Sequence, residues 1–314
     1  MPATPAQRRD LEITSHGARL AAWHHPASSP AWTTPSGRPV VVMAHGFGAT
    51  KDAGLVPFAE RFAAAGADVV VFDYRGFGTS EGQPRQLVDH RRHRQDYAAV
   101  VAHVRGMDGV DPDRVVLWGS SYSGGHVVAV AAADPRVAAV VSQGAAMDGL
   151  AAVLEIRRYA GTGQLLRLTA HALRGLVQRS HTVPIVGEPG SLAAITSDDG
   201  LAGYSLIMGP TFRNEMPARA ILPIMANRPV RAARALSAPV LFVVAAHDTI
   251  APPAAVERAA VLARRAGVRV EVLRLDVGHF AIYEGEAFER SVATQVAFLD
   301  SVLAPGARGA TLGR

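Results

Sequence analysis

Three serines stand within four positions in "LWGSSYSGGHVV", residues 117–128. A serine hydroxyl attacks a carbonyl only when a base removes its proton, and that base needs an acid to fix its tautomer. An apolar strand that ends at Gly119 and runs straight into a helix puts residues 120–123 in a sharp turn. In such a turn the positions two before and two after a nucleophile must be small. Ser120 fails, because Trp118 stands two before it. Ser121, between Gly119 and Ser123, passes, and so does Ser123, between Ser121 and Gly125. Ser121 is favoured because it falls in the turn, whereas Ser123 should already lie in the helix. The motif departs from G-x-S-x-G in having Ser123 at the last glycine.

Candidate partners lie far downstream. Asp248 follows the strand "PVLFVVAA", and His279 follows the strand "RVEVLRLD". Each stands where a loop leaves the C-terminal edge of a parallel sheet, the edge that also carries the serine turn. The chain order Ser…Asp…His is one known triad order. Asp148 in "AAMDGL" is a rival acid, since its loop can also reach the histidine. His247 beside Asp248 and His126 after the turn read as packing or polar neighbours. His90 and His93, three apart among arginines, could suggest a metal but read as a solvated helix face. Asp73 and Arg75 in "FDYRGFGTSEG" are expected to pair.

The elements that must position these residues alternate along the chain. An opening hairpin, "LEIT" and "RLAAWHH", belongs at a sheet edge. After it, continuously apolar strands ("PVVVMA", "ADVVVFD", "RVVLWG", "RVAAVVSQ", "PVLFVVAA") are interleaved with amphipathic helices. Strands apolar throughout imply a mostly parallel sheet covered on both faces. Residues 149–237 offer helical patterns and no convincing strand where a short crossover would suffice. The expected organisation is a core over 1–148 and 238–303, an inserted helical lid over 149–237, and a disordered tail over 304–314.

Composition narrows the function class. The chain has 314 residues, 49% of them hydrophobic, enough for one large core. It has no cysteine, which removes disulfides and thiolate sites. The net charge of +5 comes almost wholly from arginine, with Lys51 the one lysine. Clusters at Arg91, Arg92 and Arg94 and at Arg157 and Arg158 lack the interleaved aromatics of a nucleic-acid stripe. No apolar run would serve as a signal-peptide core or a membrane span, which points to a soluble, cytoplasmic protein.

Taken in order, "AHGFGATKD", "FDYRGFGTSEG", "LWGSSYSGGHV", "AAHDTIAPP" and "VGHFAIY" resemble the α/β-hydrolases along nearly the whole chain. More narrowly they resemble the lid-bearing branch related to Xaa-Pro dipeptidyl-peptidase-type hydrolases and polyketide acyltransferases. The resemblance implies an α/β-hydrolase fold and an oxyanion hole made by the backbone N–H groups of Phe47 and Tyr122. It implies an acyl-enzyme route through Ser121, His279 and Asp248, with no metal or organic cofactor. The expected function is cleavage of an ester or thioester. Acyl transfer to another acceptor, peptidase action, or a non-enzymatic ligand-binding role on the same fold are the alternatives. The expected partner is a small acyl substrate, free or borne on coenzyme A or a carrier arm, with neither nucleic acid nor membrane involved. Among lid residues, Met208, Met216 and Met225 are expected to line an apolar acyl pocket, because methionine adapts to irregular shapes.

Overall fold

The computed structural model describes residues 8–306, so only 304–306 of the expected disordered tail fall within it. Strands β1 (Arg9–Ser15) and β2 (Ala18–His25) form the hairpin, turning at His16 and Gly17. They are followed by β3 (Arg38–Ala44), α1 (Val56–Ala65), β4 (Asp68–Phe72), α2 (His90–Val104), β5 (Val110–Ser120), α3 (Tyr122–Ala131) and β6 (Val137–Gln143). The long α4 (Gly149–Val177), β7 (Thr182–Val183), α5 (Gly200–Ile207) and β8 (Met216–Pro217) come next. Finally β9 (Val240–Ala245), α6 (Pro253–Arg265), β10 (Val270–Leu275) and α7 (Gly285–Leu303) close the chain.

Eight strands form one sheet in the order β1-β2-β4-β3-β5-β6-β9-β10. The hairpin joins β4 antiparallel at one edge, and every pairing from β4 to β10 is parallel. The apolar runs are explained by burial on both faces. Val40, Val42 and Ala44 of β3 point into one layer, while Val41 and Met43 point into the other. This is the α/β-hydrolase architecture. All loops leaving the C-terminal ends of β3, β5, β9 and β10 gather along one edge, where a site can form.

The segment 149–237 is largely helical, with two exceptions. The two-residue strands β7 and β8 pair antiparallel, and Ala218–Ala226 and Pro229–Ala235 are 3-10 helices. Gly161 (φ 78°, ψ 171°) breaks α4 into two arms. No helix among the described residues is long and apolar enough to cross a membrane.

Two sequence expectations need correction here. His90 and His93 are buried, not solvated, and the His93 ring stacks on Tyr74 at 4.1 Å. The buried stripe of α2 runs His90, His93, Tyr97, Val100, Val104, so both histidines continue the apolar period one turn toward its N-terminus. Asp73 and Arg75 do not pair. Asp73 accepts from the Lys51 ammonium at 2.7 Å, and Arg75 pairs with Asp96 at 2.5 Å. Past the end of β4, Asp73 is taken by both the backbone N–H and the ammonium of Lys51, while Arg75 turns to Asp96 of α2.

Candidate active site

The β5–α3 turn holds Ser121 at φ 57° and ψ −118°, a left-handed conformation rare for a residue with a side chain. Hydrogen bonds over-determine that strain. Ser121 N–H donates to the Gln143 carbonyl at 2.8 Å, and its own carbonyl accepts from Gly124 and Ala146. The arms of the turn nearly touch: a Cβ on Gly119 would lie 2.3 Å from the Ser123 carbonyl oxygen. That close approach involves the backbone of Ser123, not its side chain, which is why serine is tolerated in place of the usual glycine. The Ser123 hydroxyl is fully buried and spent on the His45 carbonyl and the Tyr74 hydroxyl. The Ser120 hydroxyl likewise faces Tyr283 at 2.6 Å. Of the three serines, only Ser121 meets the histidine.

His279 Nε2 stands 3.1 Å from Ser121 Oγ, and its Nδ1 stands 2.6 Å from Asp248 Oδ2. Asp248 is held in turn by the backbone N–H groups of Ile250 (2.8 Å) and Ala251 (2.7 Å), which leave its other oxygen for the imidazole. All three side chains are buried. Burial by itself would push the His279 imidazole down; the Asp248 carboxylate outweighs it and holds the ring above its ordinary range, with Asp199 acting in the same direction. The rival Asp148 is engaged elsewhere. It caps α4 through Leu150 N–H and pairs with Arg228 at 2.7 Å, on whose account it stays below the usual carboxylate range despite burial. His247 pairs with Asp276 at 2.7 Å on the surface, and His126 is buried against Tyr122.

Tyr122 begins α3, so its N–H lies at the positive end of a helix. Phe47, after Gly46, packs its ring edge-on against Tyr122 at 5.4 Å. A Cβ on Gly46 would sit 2.9 Å from Ser121 Cβ, so only glycine lets the two loops approach this closely. One contact had no sequence signal beyond an aromatic in "GYSLIMG". The Tyr204 hydroxyl of α5 donates to the Phe47 carbonyl at 2.5 Å and pins that loop.

Two cavities meet at Ser121 and Phe47. The larger is walled by Ala152, Ile156, Tyr159, Ile195, Ile224 and Ile250. Its one side-chain amide, Asn227, is held by Arg94 at 2.5 Å. The smaller lies on the His279 side beneath Tyr204, Phe280 and Tyr283. Met208, Met216 and Met225 line neither cavity. Met216 is fully buried in the β7–β8 pair, while Met208 and Met225 point outward. The break at Gly161 lays the first arm of α4 over the serine, and isoleucines rather than methionines face the space.

Fold and site together define an α/β-hydrolase built around a serine. The chain belongs to the family described as serine aminopeptidase, S33, which it matches over residues 35–275. It is 37% identical to the quorum-quenching protein AidA of Acinetobacter baumannii over 306 residues, covering 95% of this chain and 96% of that one. It is 29% identical to the thiohydrolase aneE of Aspergillus aculeatus, covering 85% and 86%. Further relatives bear the names polyketide transferase and acyltransferase. Among solved structures, DcsB in complex with a substrate analogue superposes with a TM-score of 0.78 at 21% identity, over 95% of this chain and 99% of that one.

Proposed function

We propose that this chain cleaves an ester or thioester through an acyl-enzyme, with Ser121 as nucleophile, His279 as base and then acid, and Asp248 as the group that orients His279. The observation that carries this reading is the unbroken relay Asp248–His279–Ser121 ending on a strained turn. Ser121 Oγ bonds to the carbonyl carbon as His279 Nε2 takes the hydroxyl proton. The backbone N–H groups of Phe47 and Tyr122 receive the oxyanion; one such donor typically contributes about 10²–10³ in turnover. The tetrahedral species then expels an alcohol or thiol, which leaves with the proton from His279. Water repeats the sequence and releases the acid.

The segment 149–237 acts in this reading as a lid whose first helix roofs an acyl pocket. The leaving group takes its proton from His279 and so belongs on that side; the acyl chain belongs in the larger, apolar cavity. A small acyl substrate handled in the cytoplasm, free or on coenzyme A or a carrier arm, fits this arrangement. Aminopeptidase action, which the family description names, finds less support, because no carboxylate lines either cavity to grip an amino terminus. Transfer of the acyl group to an acceptor other than water is the second reading, favoured by the apolar walls, which keep water scarce, and by the transferase names of several relatives. The quorum-quenching name of the Acinetobacter baumannii relative adds one candidate substrate type, a signal molecule.

The test is a panel of esters, thioesters, lactones and amides run on wild type and Ser121→Ala, beside labelling with a fluorophosphonate probe. Label on Ser121 and loss of turnover in the variant are expected. Equal activity in the two proteins, or no label, would leave a ligand-binding role in its place.

A further inference from the structure

We propose that Asp199 is a positioning residue for this site: a second carboxylate, delivered by the inserted segment, that stabilises the charged form of His279 while the proton of Ser121 rests on it. The inference rests on the triad reading above and deepens it. Asp199 lies at the entrance to α5 and reaches the two loops that bear the acid and the base. Its Oδ1 accepts from Ser197 Oγ at 2.9 Å and from Thr249 Oγ1 at 3.3 Å, and Thr249 directly follows Asp248. Its Oδ2 lies against Gly278, where a Cβ would come within 3.4 Å, and Gly278 directly precedes His279.

Two features make this carboxylate more than a loop contact. Among the described residues no arginine or histidine forms an ion pair with Asp199, so its charge is not neutralised locally. Asp248, by contrast, is shared among two backbone N–H groups and the imidazole. When His279 takes the serine proton, a positive charge appears in a buried place, where an uncompensated carboxylate acts strongly. The other titratable groups around His279 add no opposing charge. Burial pushes the phenols of Tyr204 and Tyr283 up and keeps them neutral, and the His247–Asp276 pair lies outside on the surface. Asp248 and Asp199 both favour the protonated ring.

The consequence is that the seating of the inserted segment sets the strength of the base. The experiment is the pH dependence of kcat/KM on a nitrophenyl ester for wild type, Asp199→Asn, Asp199→Glu and Thr249→Val. In Asp199→Asn the acidic limb moves down by about half a pH unit or more. Its plateau kcat falls about three- to tenfold with KM held within about twofold. Asp199→Glu, which keeps the charge, returns the limb toward wild type and stands in if the asparagine variant fails to fold. Thr249→Val removes the hydroxyl contact but not the charge, so its limb stays in place. A limb for Asp199→Asn that overlays wild type, or a Thr249→Val limb that moves equally far, overturns the proposal. A labelled Ser121 with an unmoved limb defeats this inference alone; an unlabelled wild type defeats the triad reading itself.

Discussion

The sheet and the inserted segment answer to different physical constraints. Every residue of β4 and β9 is buried, and the glycines beside Ser121 have no room for a methyl group. In the segment 149–237, Gly161, Gly163 and Gly190 face open space. Of the eleven large apolar residues that the described chain leaves exposed, ten belong to this segment, Val177 (91% exposed) and Leu166 (67%) foremost. The sheet fixes reacting atoms by close packing, where a displacement of an ångström would cost much of the rate. Elsewhere in the segment Gly149, Gly175 and Gly203 are as crowded as the glycines of the turn, so it is the outer face that tolerates change, while the segment supplies most of the wall around the larger cavity. In the proposed reading, chemistry belongs to the sheet and substrate choice to the inserted segment.

The largest effect that would sharpen this contrast is expected from Asp248→Asn, which leaves the fold intact but drops kcat about 10⁴-fold, measured on any ester the enzyme accepts. Gly119→Val should come next: its side chain meets the Ser123 carbonyl head-on, so denaturant melts should show about 3 kcal/mol or more of lost stability. In the segment, Ile224→Trp should fill the larger cavity, cutting kcat/KM for long acyl chains at least about tenfold while short chains hold their rate. Equal loss across chain lengths would break the division of labour.

A smaller effect comes from the histidines behind the serine turn. Burial holds His45, His93 and His126 below the ordinary histidine value of 6.5. They are neutral when folded and take up protons on unfolding, so their contribution is present above pH 6.5 and is lost as pH falls below it. Each can remove up to about 1.4 kcal/mol per pH unit in that window. Thermal melts between pH 7 and 5 should show a falling Tm, with a shallower slope in His93→Phe. The smallest change expected is Gly163→Ala, which meets nothing within 4 Å and should add about 0.5–1 kcal/mol by stiffening α4. Destabilisation there would mean that the outer face of α4 is packed as tightly as the sheet.

Much of the fold was legible because apolar strands covered on both faces leave an unambiguous pattern. The serine turn was legible because steric crowding restricts its neighbours, as Trp118 beside Ser120 illustrates. Asp248 and His279, which the structure brings to Ser121, could be picked out by their places after β9 and β10. What stayed hidden depended on tertiary direction. Methionine's softness says nothing of where α4 breaks, so the pocket residues were misjudged. Arginines around His93 drowned the helical period that buries it. Asp199 carries no motif at all; only the approach of α5 to two distant loops gives it meaning.

Lys51 closes on Asp73 and Thr79 inside the protein, and its side chain is only 4% exposed. Since the chain holds no second lysine, the permanent positive charge of its outer side chains is guanidinium. That charge keeps its full value far into alkaline solution, where an ammonium-coated protein would fade toward neutrality. Acylating or cross-linking reagents that seek side-chain amines would find none on the folded surface, so a lysine newly placed there would be a unique chemical handle.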